Sequence, residues 1–329
     1  MLKDDNYFKG ILQKAEAGDV SSQLHLAALY RLGINVEEDI NEAVKWYRRA
    51  ADLGSLEAKC LLATTIAETG NFVKALSLLQ KVAEQGYAKA QYILGYFYYI
   101  GKGVEKSYAE AAKWFRKAAD QEYALAQFHL GMMYDKGEGV DQNHAEAFRL
   151  FRKAADQDEV EAQMNLGNTC YHGKGVEKDV YEAARWYHIV ADQGGAEAQY
   201  ILGDMYLRGE GVEQDFDAAE RWLRKAANQW HTEAQYKLGF MYHHGIGVRQ
   251  DRFEILKWYT LAAENGHLYA QCNLGMMYRY ADSVQQDYFR SLKWFRKAAD
   301  QGHAKSQNEL GIMYYHGYGV EKDHSKAAK

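Results

Sequence analysis

The sequence predicts an all-α fold of nine antiparallel helix pairs stacked side by side. Three observations carry this expectation. An Ala-Gln or Ser-Gln pair recurs every 36 residues, with one gap in the series. A glycine-rich break follows the pair in most units. A tryptophan-bearing apolar stripe at helical spacing follows the break. Proline is absent, so turns fall to the 29 glycines and to Asn and Asp.

The marker stands at Ser22-Gln23, Ala90-Gln91, Ala126-Gln127, Ala162-Gln163, Ala198-Gln199, Ala234-Gln235, Ala270-Gln271 and Ser306-Gln307. Ala58-Lys59 belongs to the same series, and the interval from Ala58 to Ala90 shortens to 32. Repeats therefore start near 22, 58, 90, 126, 162, 198, 234, 270 and 306, in a single solenoid over 1–329. Ahead of them, residues 5–21 read as a capping helix, because Tyr7 to Gly18 match a lone second helix.

The unit at Ala90 shows the logic. Ala90, Leu94, Gly95 and Tyr98 form one stripe of a first helix. Gly101-Lys102-Gly103-Val104 breaks it, since paired glycines permit positive φ. Ser107 with Glu110 reads as a capping box that opens the second helix. Ala111, Trp114, Phe115, Ala118 and Ala119 form its buried stripe. Gly95 and its equivalents Gly131, Gly167, Gly203, Gly239, Gly275 and Gly311 are expected to let paired helices approach closely. Trp46, Trp114, Trp186, Trp222, Trp258 and Trp294 are expected to fill the space between pairs. No pair buries its apolar face alone, so the stack is the folding unit.

Some units depart from this pattern. The second runs Thr69-Gly70-Asn71-Phe72 through a shortened turn. The fourth has Leu150 in place of Trp. The eighth has Ala281 and Ser283 where glycines belong, so its loop is expected to differ. The ninth is incomplete: the chain reads as cut in mid-repeat at Lys329, with a short helix from Asp323.

At these residues the chain resembles the Sel1-like repeat family, a relative of the tetratricopeptide repeats. That family's pattern runs Ala-x-x-x-Leu-Gly-x-x-Tyr, Gly-x-Gly-Val, an acidic cap, Ala-x-x-Trp and Ala-Ala. The resemblance implies an α/α superhelical solenoid. It also implies a role as a protein-binding scaffold in bacterial signalling, stress response or host interaction.

Composition narrows the function. The net charge of -5 exerts no general pull on nucleic acid or acidic membranes. Met1 to Asn6 carry two acids and no apolar run, so they do not read as a leader. No stretch approaches the roughly 18 apolar residues of a membrane span. Cys60, Cys170 and Cys272 fall in different pairs, too far apart for the disulfide limit of about 7 Å. They read as small core residues in a reducing cytoplasm.

Motifs that hint at chemistry dissolve into the repeat. Gly101-Lys102-Gly103 and Gly173-Lys174-Gly175 lack the Ser or Thr and the preceding strand of a phosphate loop. His172, His244 and His316 recur in alternate units, too far apart for one metal when layers lie about 10 Å apart. Arg48-Arg49, Arg116-Lys117, Arg152-Lys153, Arg224-Lys225 and Arg296-Lys297 form a basic ladder, and Asp52, Asp120, Asp156 and Asp300, four residues after the arginines, are expected to neutralise it. No catalytic arrangement stands out, so neither an enzyme, a cofactor nor a metal is expected.

The candidate site is the side of the first helices that the framework does not use. Counting the marker Ala as position one, positions three, seven and ten lie opposite the framework stripe. In tetratricopeptide-like stacks that side lines the concave groove, as the resemblance implies. Here it is rich in aromatic and methionine residues: Tyr92, Tyr96, Tyr99, Phe128, Met132, Tyr171, Tyr200, Tyr236, Phe240 and Met276. Such side chains suit a protein or peptide partner. The competing expectation is that they pack against neighbouring first helices. Two other functions stand as alternatives. One is a hydrolase of the cysteine-rich Sel1-like type, whose paired cysteines and export signal are not found here. The other is self-association through the incomplete last repeat.

Overall fold

The computed structural model describes residues 5–328, with side chains from Tyr7 onward. The reading of Met1–Asn6 as no leader rests on side chains outside the described residues, as does the stop at Lys329. Among the described residues there are nineteen helices and no strand. A lone α1 (Asp5–Glu16) precedes the pairs α2 (Val20–Leu32) with α3 (Ile40–Asp52), α4 (Leu56–Glu68) with α5 (Phe72–Glu84), and α6 (Ala88–Ile100) with α7 (Tyr108–Ala119). Next come α8 (Ala124–Lys136) with α9 (His144–Ala155), α10 (Val160–His172) with α11 (Val180–Asp192), and α12 (Ala196–Arg208) with α13 (Phe216–Asn228). The last are α14 (Thr232–His244) with α15 (Arg252–Glu264), α16 (Leu268–Tyr280) with α17 (Tyr288–Asp300), and α18 (Ala304–His316) with the stub α19 (His324–Ala327).

The chain divides into two compact units, Met1–Thr169 with Gly173–Glu177, and Cys170–His172 with Lys178–Lys329. Each has cores that run from pair to pair. In the first, one cluster extends from Ala15 to Trp114 and another from Ala111 to Leu150. In the second, Leu238 and Met241 share a cluster with Trp258, and Tyr259 and Leu274 share one with Trp294. Most tryptophans thus lie between successive pairs; Trp186 is only half-buried.

First helices begin two residues ahead of the marker alanine, because the cap sits three residues before it. Asp19, Ser55, His231, His267 and His303 each accept a backbone N–H there. Second helices open on Asp, Asn or Ser caps, as at Asp39, Ser107, Asn143 and Asp251. The capping box is made in one direction only. Glu110 N–H donates to Ser107 Oγ at 3.3 Å, but the Ser107 N–H donates to the Tyr98 carbonyl at 3.0 Å. Glu110 turns instead to Lys113.

The framework glycines are contact residues. A Cβ on Gly95 would lie 2.8 Å from Cδ1 of Phe115, and one on Gly239 would lie 2.5 Å from Cδ1 of Tyr259. The loop of the eighth unit departs from expectation. Ala281 and Ser283 adopt φ of 58° and 59°, the left-handed geometry that Gly101 and Gly103 hold in the third. Backbone hydrogen bonds from Asp282 N–H to the Met277 carbonyl and from Asp287 N–H to the Tyr278 carbonyl close the turn, at a conformational cost of roughly 1–2 kcal/mol per non-glycine residue.

The marker glutamine is a joint. Gln91 Nε2 donates to the Ala83 carbonyl at the end of the preceding second helix (3.0 Å), and its Oε1 accepts from Gln121 at 2.8 Å. The same pair of hydrogen bonds recurs at Gln127 with Gln157, Gln199 with Gln229, and Gln271 with Gln301. Gln23 keeps the bond to Ala15, but its buried Oε1 has no partner, because exposed Leu53 stands where the second amide belongs. Leu53→Gln is expected to stabilise the protein by about 1 kcal/mol. Denaturant melts of the two proteins check this, and an unchanged or lower stability contradicts it.

The basic ladder is held differently from its sequence expectation. Arg116 and Arg296 donate to the phenols of Tyr134 and Tyr314, at 2.7 and 2.8 Å, rather than to the aspartates four residues on. The phenol lies on the next first helix, so the ladder ties pairs together.

Candidate partner-binding face

Ten aromatic and methionine residues define the candidate face. Only Tyr96 is exposed, at 38%; the other nine are half-buried. In the first compact unit, α6 and α8 bring Tyr92, Tyr96 and Phe128 around His129. Its ring centroid lies 5.4 Å from that of Tyr92, 5.8 Å from Tyr96 and 5.2 Å from Phe128. Tyr92 also packs on Tyr123, the residue that precedes α8 (5.3 Å). Met132 lies one turn along α8 from Phe128, half-buried.

In the second unit the same relation is made with histidine. Tyr200 stacks on His231 at 4.6 Å and 23°, and Tyr236 stacks on His267 at 4.2 Å and 20°. Each histidine caps the next first helix through Nδ1, and its Nε2 meets Glu197 or Glu233 of the preceding first helix. Those roles fix the tautomer: Nδ1 accepts and Nε2–H donates. Phe240 is 6.3 Å from Tyr236 and 4.2 Å from His244. Met276 packs against the cluster around Cys272 and Phe295.

Tyr99 and Tyr171 are used by the framework. Their hydroxyls donate to Glu138 and Glu210 of the following loops, both at 2.9 Å. Burial, then the Glu138 carboxylate, push Tyr99 up to about 12. Position three is not uniform either: Cys60 and Cys272 are buried there, and burial raises the Cys60 thiol to about 11. Within each unit these residues therefore form a half-buried ring surface, and in the first unit Tyr96 is its exposed edge.

His129 is the titratable group inside this surface. Burial holds it below its ordinary 6.5, against a weaker opposite pull from its contact with the Leu125 carbonyl. Between the two values the unfolded chain binds a proton that the folded chain refuses. Stability therefore falls as pH drops through that window and levels off beneath it. His129→Phe is expected to remove this part of the acid sensitivity. Urea midpoints of both proteins, taken from neutral pH down through the histidine range, test it; parallel curves would count against the assignment.

The sequence reading overlooked several residues. The capping histidines His231, His267 and His303 carried a signal in their 36-residue spacing. Exposed aromatics also occur away from the face: Tyr181, Phe253 and Phe289 on the opening turns of second helices, and Trp230. Trp230 holds φ of 66° where Gly194 and Gly266 stand in neighbouring units. Among the described residues no cluster of three His, Cys, Asp or Glu is placed to hold a metal ion. No helix among them is long and apolar enough to cross a membrane.

Helix pairs joined by repeated side-chain bonds define a helical-repeat protein of the α/α solenoid class. The Sel1 repeat model matches residues 20–55, 67–87, 88–123, 124–159, 160–195, 196–229, 232–267, 268–303 and 304–329. The chain belongs to the Sel1 repeat family. It is similar to a Sel1 repeat protein of Oxalobacter formigenes, at 35% identity and TM-score 0.69, over 86% of this chain and 84% of that one. It is also similar to c5321, a protective antigen of uropathogenic Escherichia coli strains with an SLR fold. That match has 30% identity and TM-score 0.60, over 97% of this chain and 85% of the other. The chitin synthase regulator SKT5 of Saccharomyces cerevisiae is 32% identical over 123 residues, 35% of this chain. The chain spans less than a fifth of the length of that regulator, 18%. Sel1 repeat proteins generally mediate protein–protein interactions.

Proposed function

We propose that this protein is a non-enzymatic adaptor that binds a segment of a partner protein on the ring face of its first helices. The observation that carries this is the bracing of that face. Rings stacked on capping histidines lose little freedom on binding, and rigid aromatic surface is what interaction hot spots use. A cytoplasmic setting suits three cysteines that are each buried in the core. We place the role in bacterial signalling, stress response or host interaction, because the chain is similar to Sel1 repeat proteins of bacteria, one of them a protective antigen.

The test is affinity capture from a lysate with identification by mass spectrometry, using the parent chain beside Tyr96→Ser and Phe240→Ser. Each truncation is expected to weaken capture of the same partner roughly ten-fold or more. Thermal melts run in parallel, because Tyr96 is exposed and its loss leaves the fold in place. Undiminished capture by a folded Tyr96→Ser, Phe240→Ser double variant would overturn the proposal.

A further inference from the structure

The second pair lacks three side chains that close the space between pairs elsewhere. An intact seam shows what belongs there. Arg224 lies 5.8 Å from the Tyr242 ring and 5.6 Å from the Trp258 ring, and its guanidinium donates to the Tyr242 hydroxyl at 2.7 Å. At the seam between α3 and α5, Arg48 holds the place of Arg224. Ile66 stands where Tyr242 would be, and Leu78 stands where Trp258 would be. Lys59 replaces the marker glutamine, so Gln85 loses the amide partner that Gln121 finds in Gln91.

These shortened side chains leave a cavity of about 330 Å³, floored by α4 and open between α3 and α5. Its floor is apolar, with Leu62, Ile66 and Val82. Its rim carries four cations, Arg48, Lys59, Lys74 and Lys81, against one carboxylate, Asp52. None of the four cations is in an ion pair or hydrogen bond with a described residue. An aromatic volume is missing, a guanidinium stands ready for a phenol oxygen, and the surrounding charge is unbalanced.

We propose that this seam is a second binding site, taking a tyrosine side chain presented by an acidic segment of a partner protein. The ring fills the volume that Tyr242 and Trp258 fill at the intact seam, and its hydroxyl accepts from Arg48. Neighbouring carboxylates of the segment meet Lys59, Lys74 and Lys81, at a rim where charge complementarity sets specificity. The site uses none of the ten residues of the ring face, so it stands or falls independently of it.

The probe is the capped peptide Glu-Glu-Tyr-Glu-Glu, titrated calorimetrically into the full chain. Binding is expected at peptide concentrations up to about 1 mM, and roughly ten-fold weaker for Glu-Glu-Ala-Glu-Glu and Ser-Ser-Tyr-Ser-Ser. Ile66→Tyr supplies the phenol of the intact seam from within the chain and is expected to abolish binding without lowering the melting temperature. Arg48→Gln, at an exposed residue, is expected to weaken binding at least several-fold with the fold intact. Tyr96→Ser is expected to bind the peptide as the parent does. Absence of binding, equal binding of the alanine peptide, or parental affinity in folded Ile66→Tyr overturns the proposal. If Ile66→Tyr does not fold, parental affinity in Arg48→Gln overturns it. Binding of 4-hydroxyphenylacetate as tight as the peptide assigns the cavity to a free aryl acid and overturns the peptide assignment.

Discussion

Gly239→Val is expected to destabilise the protein by about 3 kcal/mol. A Cβ at this position would lie 2.5, 2.8 and 3.0 Å from Cδ1, Cε1 and Cγ of Tyr259. Tyr259 is fully buried in a core cluster with Leu274, Met277 and Trp294, so it has little room to move. The remaining response is to separate α14 from α15, which opens the core of that pair. Urea unfolding measures the effect. A loss under about 1 kcal/mol would show that the close approach is incidental. The glycine itself has ordinary helical φ, so the effect is steric and owes nothing to backbone freedom.

Gln235→Leu is expected to cost about 2 kcal/mol. Leucine keeps most of the volume, so the substitution isolates the polar part of the joint. Gln235 is fully buried, donates to the Ala227 carbonyl at 3.1 Å and accepts from Asn265 at 3.2 Å. Asn265 lies at the surface, where water replaces the lost bond. The Ala227 carbonyl loses its side-chain donor and is left with the backbone N–H groups of the turn that ends α13, Gln229 and Trp230. A melt of Gln235→Leu equal to that of the parent would reduce the glutamine to a sequence marker without a mechanical role.

The period was legible in the sequence, and so was every helix, because small, large and cap residues recur in register. The reason for the marker was not. A buried glutamine bonded to a carbonyl eight residues back and an amide thirty residues on leaves no local pattern. The eighth loop was misjudged for a related reason: the intrinsic preference against left-handed Ala281 and Ser283 yields to the contacts that close the turn. For the candidate face, helical spacing named the residues of one side of each first helix but not what covers them. Tyr200 meets a ring thirty-one residues later, and only the stack makes those two neighbours. Tyr99 and Tyr171 carry the same composition signal as Tyr96, yet their hydroxyls are tied to loops thirty-nine residues on.

The bonds between pairs span fixed sequence distances of 8, 18, 30, 34 and 39 residues. A whole 36-residue unit can therefore be duplicated or excised and each remaining residue still finds its partner at the same offset. Length is a parameter such a chain can change in single steps, without redesigning any part. The second pair is the exception. Shorter by four residues, and without the Tyr, Trp and Gln that its neighbours use to join, it is not interchangeable with the others. A lineage that lengthened or shortened this protein by recombination among its repeats would keep that pair in one copy and vary the number of the rest.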